Sequence, residues 1–203
     1  MDSINQLISL TQILEQKENL KKLDNYFLSH EFIYIFITNL KVICNNLISI
    51  DALIKIDQFE DAMSIFRKYI ETYLLLLSVL ENPTIASIYA KHNFLIGQRA
   101  CGKDTENIEK LIRNNPKNFL EYGYLAKLIN NYDSKTSLSM SDVARAAKKQ
   151  DFHRWYKVAS NFMHNSLVST KTDKEHGIER LNEWMSTSIS YLVNRVRSAI
   201  IME

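Results

Sequence analysis

The sequence predicts an all-α fold, a single helical-bundle domain with a long C-terminal helix, and three observations carry that prediction. Apolar residues recur at helical spacing through nearly all of its 203 residues. Only four Gly and two Pro are present, too few to punctuate a sheet with many tight turns. Hydrophobic residues make up 46% and charged residues 24%, a balance that lets a chain of this length bury a substantial core instead of remaining disordered.

The first helix is expected over 3–28 with a break near Asn19, because Ile4, Leu7 and Ile8, then Ile13 and Leu14, recur on one face. A second, over 31–55, carries the apolar run EFIYIFITNLKVI. The third, over 57–81, is apolar nearly all round, the mark of a central helix. Asn82-Pro83 ends it and opens a fourth over 84–99, since the residue before proline avoids the helical region and proline suits a first turn. Asp104 can cap a helix over 105–114, followed by one over 117–130. The polar stretch NNYDSKTSLSMSD, 130–142, is the loop at which any division of the chain would fall. Ser141 then caps a helix over 141–166. After the short connection KTDKEH, the helix over 174–201 sets Ile178, Leu181, Met185, Ile189, Leu192, Val196 and Ile200 at helical spacing, which reads as a core seam.

Several function classes fall away. The start MDSINQLISL has an acidic second residue and no basic n-region, so no secretory signal is expected. The most apolar runs are broken by Asn39 and Lys41 or bounded by Glu71 and Glu81, short of the roughly 20 apolar residues a membrane span needs. Cys44 and Cys101 form no CxxC or Cys/His spacing, which predicts no disulfide framework, no zinc site and a reducing cytoplasm. No Gly-rich phosphate loop or G-x-S-x-G elbow occurs, so neither P-loop, kinase nor ordinary hydrolase chemistry is indicated, and no cofactor is expected. The segment SMSDVARAAKK is similar to the first helix of a helix-turn-helix but lacks a convincing glycine turn and second recognition helix, which leaves DNA reading a minor option.

The net charge of +2 does not by itself imply a nucleic-acid partner, but its distribution is uneven. Residues 1–140 hold fifteen Lys/Arg against sixteen Asp/Glu, and residues 141–203 hold ten against seven. Within that basic part, the stretch YKVASNFMHNS sets Tyr156, Ser160 and His164 four residues apart. On a helix, Phe152, Trp155, Ala159, Phe162 and Met163 form its apolar face; His153, Lys157, Ser160, Asn161 and His164 oppose them, with Tyr156 at the edge. Two readings stay open: a solvated face, or one wall of a site. On the central helix Glu60, Ser64, Arg67, Glu71 and Ser78 fall along one stripe, and Arg67 and Glu71 stand at i, i+4, where side chains meet. In a mostly buried helix such a pair must satisfy itself or face a polar cleft. His30, His92, His153 and His176 have no partner that sequence can name and read as surface or locally bonded residues.

A helix with R-x-x-x-E before an apolar run, followed by a later helix with Y-x-x-x-S-x-x-x-H-x-S, resembles an uncharacterised bacterial all-helical family of unknown function. Arg67 and Glu71 match the first signature; Tyr156, Ser160, His164 and Ser166 match the second, over roughly residues 55–170. More distantly the arrangement looks like the HEPN superfamily, small helical proteins of toxin–antitoxin and phage-defence systems, many of which cut RNA without a metal. That superfamily's Arg, four to six residues before a His, is not present here: Arg154 lies too far upstream of His164, and Lys157 stands nearest to the required place.

The resemblance implies a metal-independent endoribonuclease in which His164 moves a proton and Arg67, oriented by Glu71, stabilises charge on the phosphate. Tyr156 and Ser160 would add hydrogen bonds, and Lys157, Arg154, Lys149 and Asn161 would hold the RNA. Arg145 and Lys148 are further candidates for the RNA backbone, and Trp155 is expected in the core. A homodimer or an antitoxin-like protein is the implied partner. The alternative is a non-catalytic helical interaction module, in which the polar stripes fix helix packing and the terminal helix docks a copy of itself or a partner.

Overall fold

The computed structural model describes residues 2–16, 30–81, 100–103, 106, 139–165 and 171–201. These residues form six α-helices, and no strand occurs among them. Apart from positions 100–103 and 106, the helices expected over 84–99, 105–114 and 117–130, with the Asp104 cap, lie outside the described residues, as does the loop before Ser139. The chain divides into two compact units, Met1–Leu77 with Lys149–Glu203, and Ser78–Lys148.

In the first unit, α1 (Asp2–Leu14) packs against α2 (His30–Lys55). Leu7, Leu10 and Leu14 are buried, and Thr11 Oγ1 donates to the Leu7 carbonyl at 2.8 Å while lying 3.6 Å from Cys44 Sγ on α2. Burial pushes the Cys44 thiol pKa up, which keeps it protonated and inert. The helix ends at Leu14, ahead of the break expected near Asn19, where the Gln16 N–H turns back to the Ile13 carbonyl at 3.2 Å in a tightened last turn; positions 17–28 of that expectation lie outside the described residues. Lys41 pairs with Glu15 beside that turn.

Helix α2 buries Phe36, Leu40, Ile43, Leu47 and Ile50 at alternating spacings of four and three. Its stretch Phe36–Lys55 is nevertheless long and apolar enough to cross a membrane by length and composition, and 33% of it is buried within the protein. This corrects the expectation of a run too short to span, because the apolar character resumes beyond Asn39 and Lys41. Asp57, in the left-handed region at φ 64°, turns the chain into α3 (Phe59–Glu81). Lys174 Nζ lies 2.8 Å from the Asp57 carbonyl and 2.8 Å from its carboxylate, which pins the turn.

Helix α3 is central, as its apolar circumference predicts: from Tyr69 to Leu80 every residue except Glu71 and Thr72 is buried. Six aromatic rings close a circuit around it. Phe66 neighbours Tyr69 at 5.7 Å, Tyr69 neighbours Tyr73 at 5.8 Å, and Tyr73 neighbours Phe152 at 5.0 Å. Phe152 meets Trp155 edge-on at 4.2 Å, Trp155 stacks on Trp184 at 5.3 Å, and Trp184 returns to Phe66 at 5.8 Å. Such ring pairs add to the stabilisation their buried area supplies. They bind α3 to α5 (Gln150–Asn165) and α6 (Lys171–Ile201). The seam of α6 lies in this core, with Leu181, Met185, Ile189, Leu192 and Val196 buried. Ser188 Oγ donates to the Met185 carbonyl at 2.9 Å, so the buried Tyr69 hydroxyl, 2.5 Å away, donates to Ser188.

Gly177 lets α6 approach α3, since a Cβ there would stand 2.5 Å from Phe59 Cζ, and Phe59 is buried. Gly177→Ala gains roughly 1 kcal/mol of helix propensity but overpacks a filled site at roughly 1–3 kcal/mol. A net loss of about 1 kcal/mol is expected, seen as a thermal midpoint lowered by roughly 3 °C. Adding Phe59→Leu should restore part of it, and an unchanged midpoint for Gly177→Ala would show that Phe59 moves aside without cost.

The helix expected over 141–166 is two helices. In the second unit, α4 (Met140–Ala146) is capped by Ser139, not Ser141: Ser139 Oγ accepts from the Asp142 N–H at 3.1 Å, and the Asp142 carboxylate accepts from the Ser139 N–H at 3.4 Å. The break comes at Lys148, at φ 55°, whose N–H closes onto the Arg145 carbonyl at 3.1 Å. Helix α5 begins two residues later.

Candidate active site

The aromatic circuit decides which polar side chains meet. Arg67 follows Phe66 on α3 and Tyr156 follows Trp155 on α5, and Phe66 and Trp155 both stack on Trp184, so their sequence neighbours are brought near each other. Arg67 Nη2 donates to the Tyr156 hydroxyl oxygen at 3.3 Å, and the guanidinium carbon lies 5.4 Å from the Tyr156 ring centroid. The hydrogen bond it donates to Tyr156 raises the Arg67 pKa above its ordinary value, opposed by desolvation and supported through space by Tyr156 and, least, by Glu71. Glu71 is exposed, one turn along α3 from Arg67. Because Tyr156 accepts this bond, its own O–H proton remains a donor.

Ser160 is half-buried and donates its hydroxyl proton to the Tyr156 carbonyl at 2.8 Å, so toward a ligand it presents lone pairs. Lys157, Arg154 and Asn161 are exposed along α5. Lys149 is half-buried, with Nζ 3.7 Å from the Tyr191 ring centroid and 5.8 Å from that of Phe152, a cation held over aromatic faces. The backbone of His164 belongs to α5, whereas its side chain, like those of Phe162 and Met163, lies outside the described residues, as does Ser166 entirely. Trp155, expected in the core, is half-buried against Trp184. Arg145 and Lys148 belong to the second unit, where they pair with Asp142 at 3.7 Å and Glu81 at 3.4 Å.

One residue near this contact, read from the sequence as a surface or locally bonded histidine, was not assigned to the site. His153, half-buried, holds its ring 15° from parallel to Tyr156 with centroids 6.1 Å apart. Burial lowers its pKa below the ordinary value of 6.5, and the positive charge of Lys157 lowers it further, so the imidazole is neutral at pH 7. The signal was present in the sequence: His153 stands three residues before Tyr156 and four before Lys157, the spacings at which helical side chains touch. Among the described residues, no three His, Cys, Asp or Glu side chains come close enough together to hold a metal ion. An open cleft of about 410 Å³, lined by Asn5, Gln6, Ser9, Leu10, Ile13 and Arg197, lies along α1 and shares no residue with the Arg67 contact.

No curated protein and no solved structure matches the chain. A family model does match, over residues 33–178, a span that holds both the Arg67 and Glu71 signature and that of Tyr156, Ser160, His164 and Ser166. The chain belongs to that family, a family of unknown function (DUF5677).

Proposed function

We propose that the protein is a metal-independent endoribonuclease of the HEPN type, a toxin or phage-defence effector acting on RNA in the cytoplasm. The observation that supports this reading is the bond from Arg67 to Tyr156, which joins one residue of each polar signature. Arg67 supplies the fixed guanidinium that His164 lacks at close range in the sequence, and a guanidinium fork suits phosphate oxygens.

In the proposed reaction the neutral His164 imidazole takes the proton from a ribose 2′-hydroxyl. The 2′-oxygen attacks the adjacent phosphorus, the bond from phosphorus to the 5′-oxygen breaks, and that oxygen leaves with a proton from solvent. The products are a 2′,3′-cyclic phosphate and a 5′-hydroxyl. Arg67 stabilises the charge gathering on the non-bridging oxygens, and the Tyr156 O–H donates to one of them. Lys157 and Arg154, exposed on α5, attract the flanking phosphates.

The test is incubation of the purified protein with end-labelled RNA in excess EDTA. Fragments ending in cyclic phosphate are expected, and His164→Ala should reduce their rate by about 10²–10⁴-fold. A variant that cuts at the full rate removes His164 from the site. The alternative, a non-catalytic interaction module, draws on the same bond, since a contact from α3 to α5 also fixes helix packing, whereas the α6 seam it would use for docking is buried in the first unit.

A further inference from the structure

Three flat groups gather at one place on the first unit: the Arg67 guanidinium, the Tyr156 ring and the His153 ring. The two rings are nearly parallel, and both residues are half-buried, so each keeps part of its surface in solvent. Cations stand nearby. Arg67 is 5.4 Å from the Tyr156 centroid, and exposed Lys157 is close enough for its charge to act on His153. Arg154, also exposed, lies next to His153 in the chain.

Partly exposed rings flanked by cations suit unpaired bases, each of which has a π-face to stack while its phosphates meet the positive charge. A duplex hides those faces within its own stack and offers chiefly backbone. We infer that His153 and Tyr156 form a base-stacking step for single-stranded RNA, with Arg67 and Lys157 holding the phosphates that flank the stacked base. The step rests on the RNA reading above and deepens it: the substrate is an unpaired strand, and His153 is a binding residue that takes no part in proton transfer.

The experiment uses the full chain carrying His164→Ala, so that binding is read without cleavage. Fluorescence anisotropy compares a short labelled oligoribonucleotide with the blunt duplex of the same sequence at one fixed salt concentration. The single strand should bind roughly tenfold more tightly than the duplex, and adding His153→Ala should weaken single-strand binding by roughly tenfold. His153→Phe, which keeps a ring and removes the titrating nitrogens, should retain most of the affinity. Equal affinity for strand and duplex, no effect of His153→Ala, or a His153→Phe protein as weak as His153→Ala would each overturn the stacking step. The two ideas separate cleanly: stacking-dependent binding by a protein that never cleaves RNA removes the ribonuclease and leaves the step, whereas cleavage indifferent to His153→Ala does the reverse.

Discussion

With the proposed ribonuclease reaction, Arg67→Ala is expected to lower RNA cleavage by about 10²–10³-fold while leaving the helical content unchanged, the loss typical when a preorganised charge is removed from a developing oxyanion. The side chain is well placed for such a role. It extends from the central helix, its direction is fixed by the bond to the Tyr156 hydroxyl at 3.3 Å, and its pKa is driven up, so it carries its charge at any working pH. Arg67→Lys separates charge from shape: an ammonium cannot meet two phosphate oxygens in one plane, so activity should fall between the parent and the alanine variant. Circular dichroism of both proteins distinguishes loss of chemistry from loss of fold. An alanine variant that is folded and fully active would place the site elsewhere.

The second large effect is on stability. Phe66→Ala should destabilise the protein by about 3–5 kcal/mol, the range for emptying a buried aromatic site. Phe66 is fully buried and lies between Tyr69 at 5.7 Å and Trp184 at 5.8 Å, so its removal opens the aromatic circuit at the point where α3 meets α6. The thermal midpoint followed by circular dichroism should drop by roughly 10 °C. Phe66→Leu fills much of the space and should cost less than half as much. A drop of only a degree or two for the alanine variant would mean that the circuit contributes little to holding α3, α5 and α6 together.

Much of the fold was legible because its cause is local. The spacing of Phe36, Leu40, Ile43, Leu47 and Ile50 can be read without knowing what covers them, and the scarcity of glycine and proline excludes a turn-rich sheet. The interruptions were less legible. The break at Lys148 falls in a run of Ala and Lys, good helix formers, and is made by one left-handed residue that propensity does not foresee. The cap at Ser139 could have been found, since Asp142 stands three residues later and completes a capping box, whereas Ser141 has no such partner.

The site divides along the same line. The i, i+4 relation of Arg67 to Glu71 is visible in the sequence, but the bond Arg67 makes is to Tyr156, 89 residues away, and depends on Phe66, Trp184 and Trp155 packing in one cluster. Periodicity assigns faces to helices; it does not say which faces meet. His153 was readable as a helical neighbour of Tyr156 and Lys157, but a solitary surface histidine offers no reason to look for one.

The most direct measurement of a shared site is a titration of the protein, with its imidazole nitrogens followed by NMR, using an oligoribonucleotide whose ribose 2′-oxygens are methylated and so cannot attack. If Arg67 and His164 serve one phosphate, the His164 signal moves as the strand binds, and Arg67→Ala abolishes the shift in a protein that remains folded. A His164 signal indifferent to the bound strand, or one that moves equally with and without Arg67, contradicts a site common to the two residues.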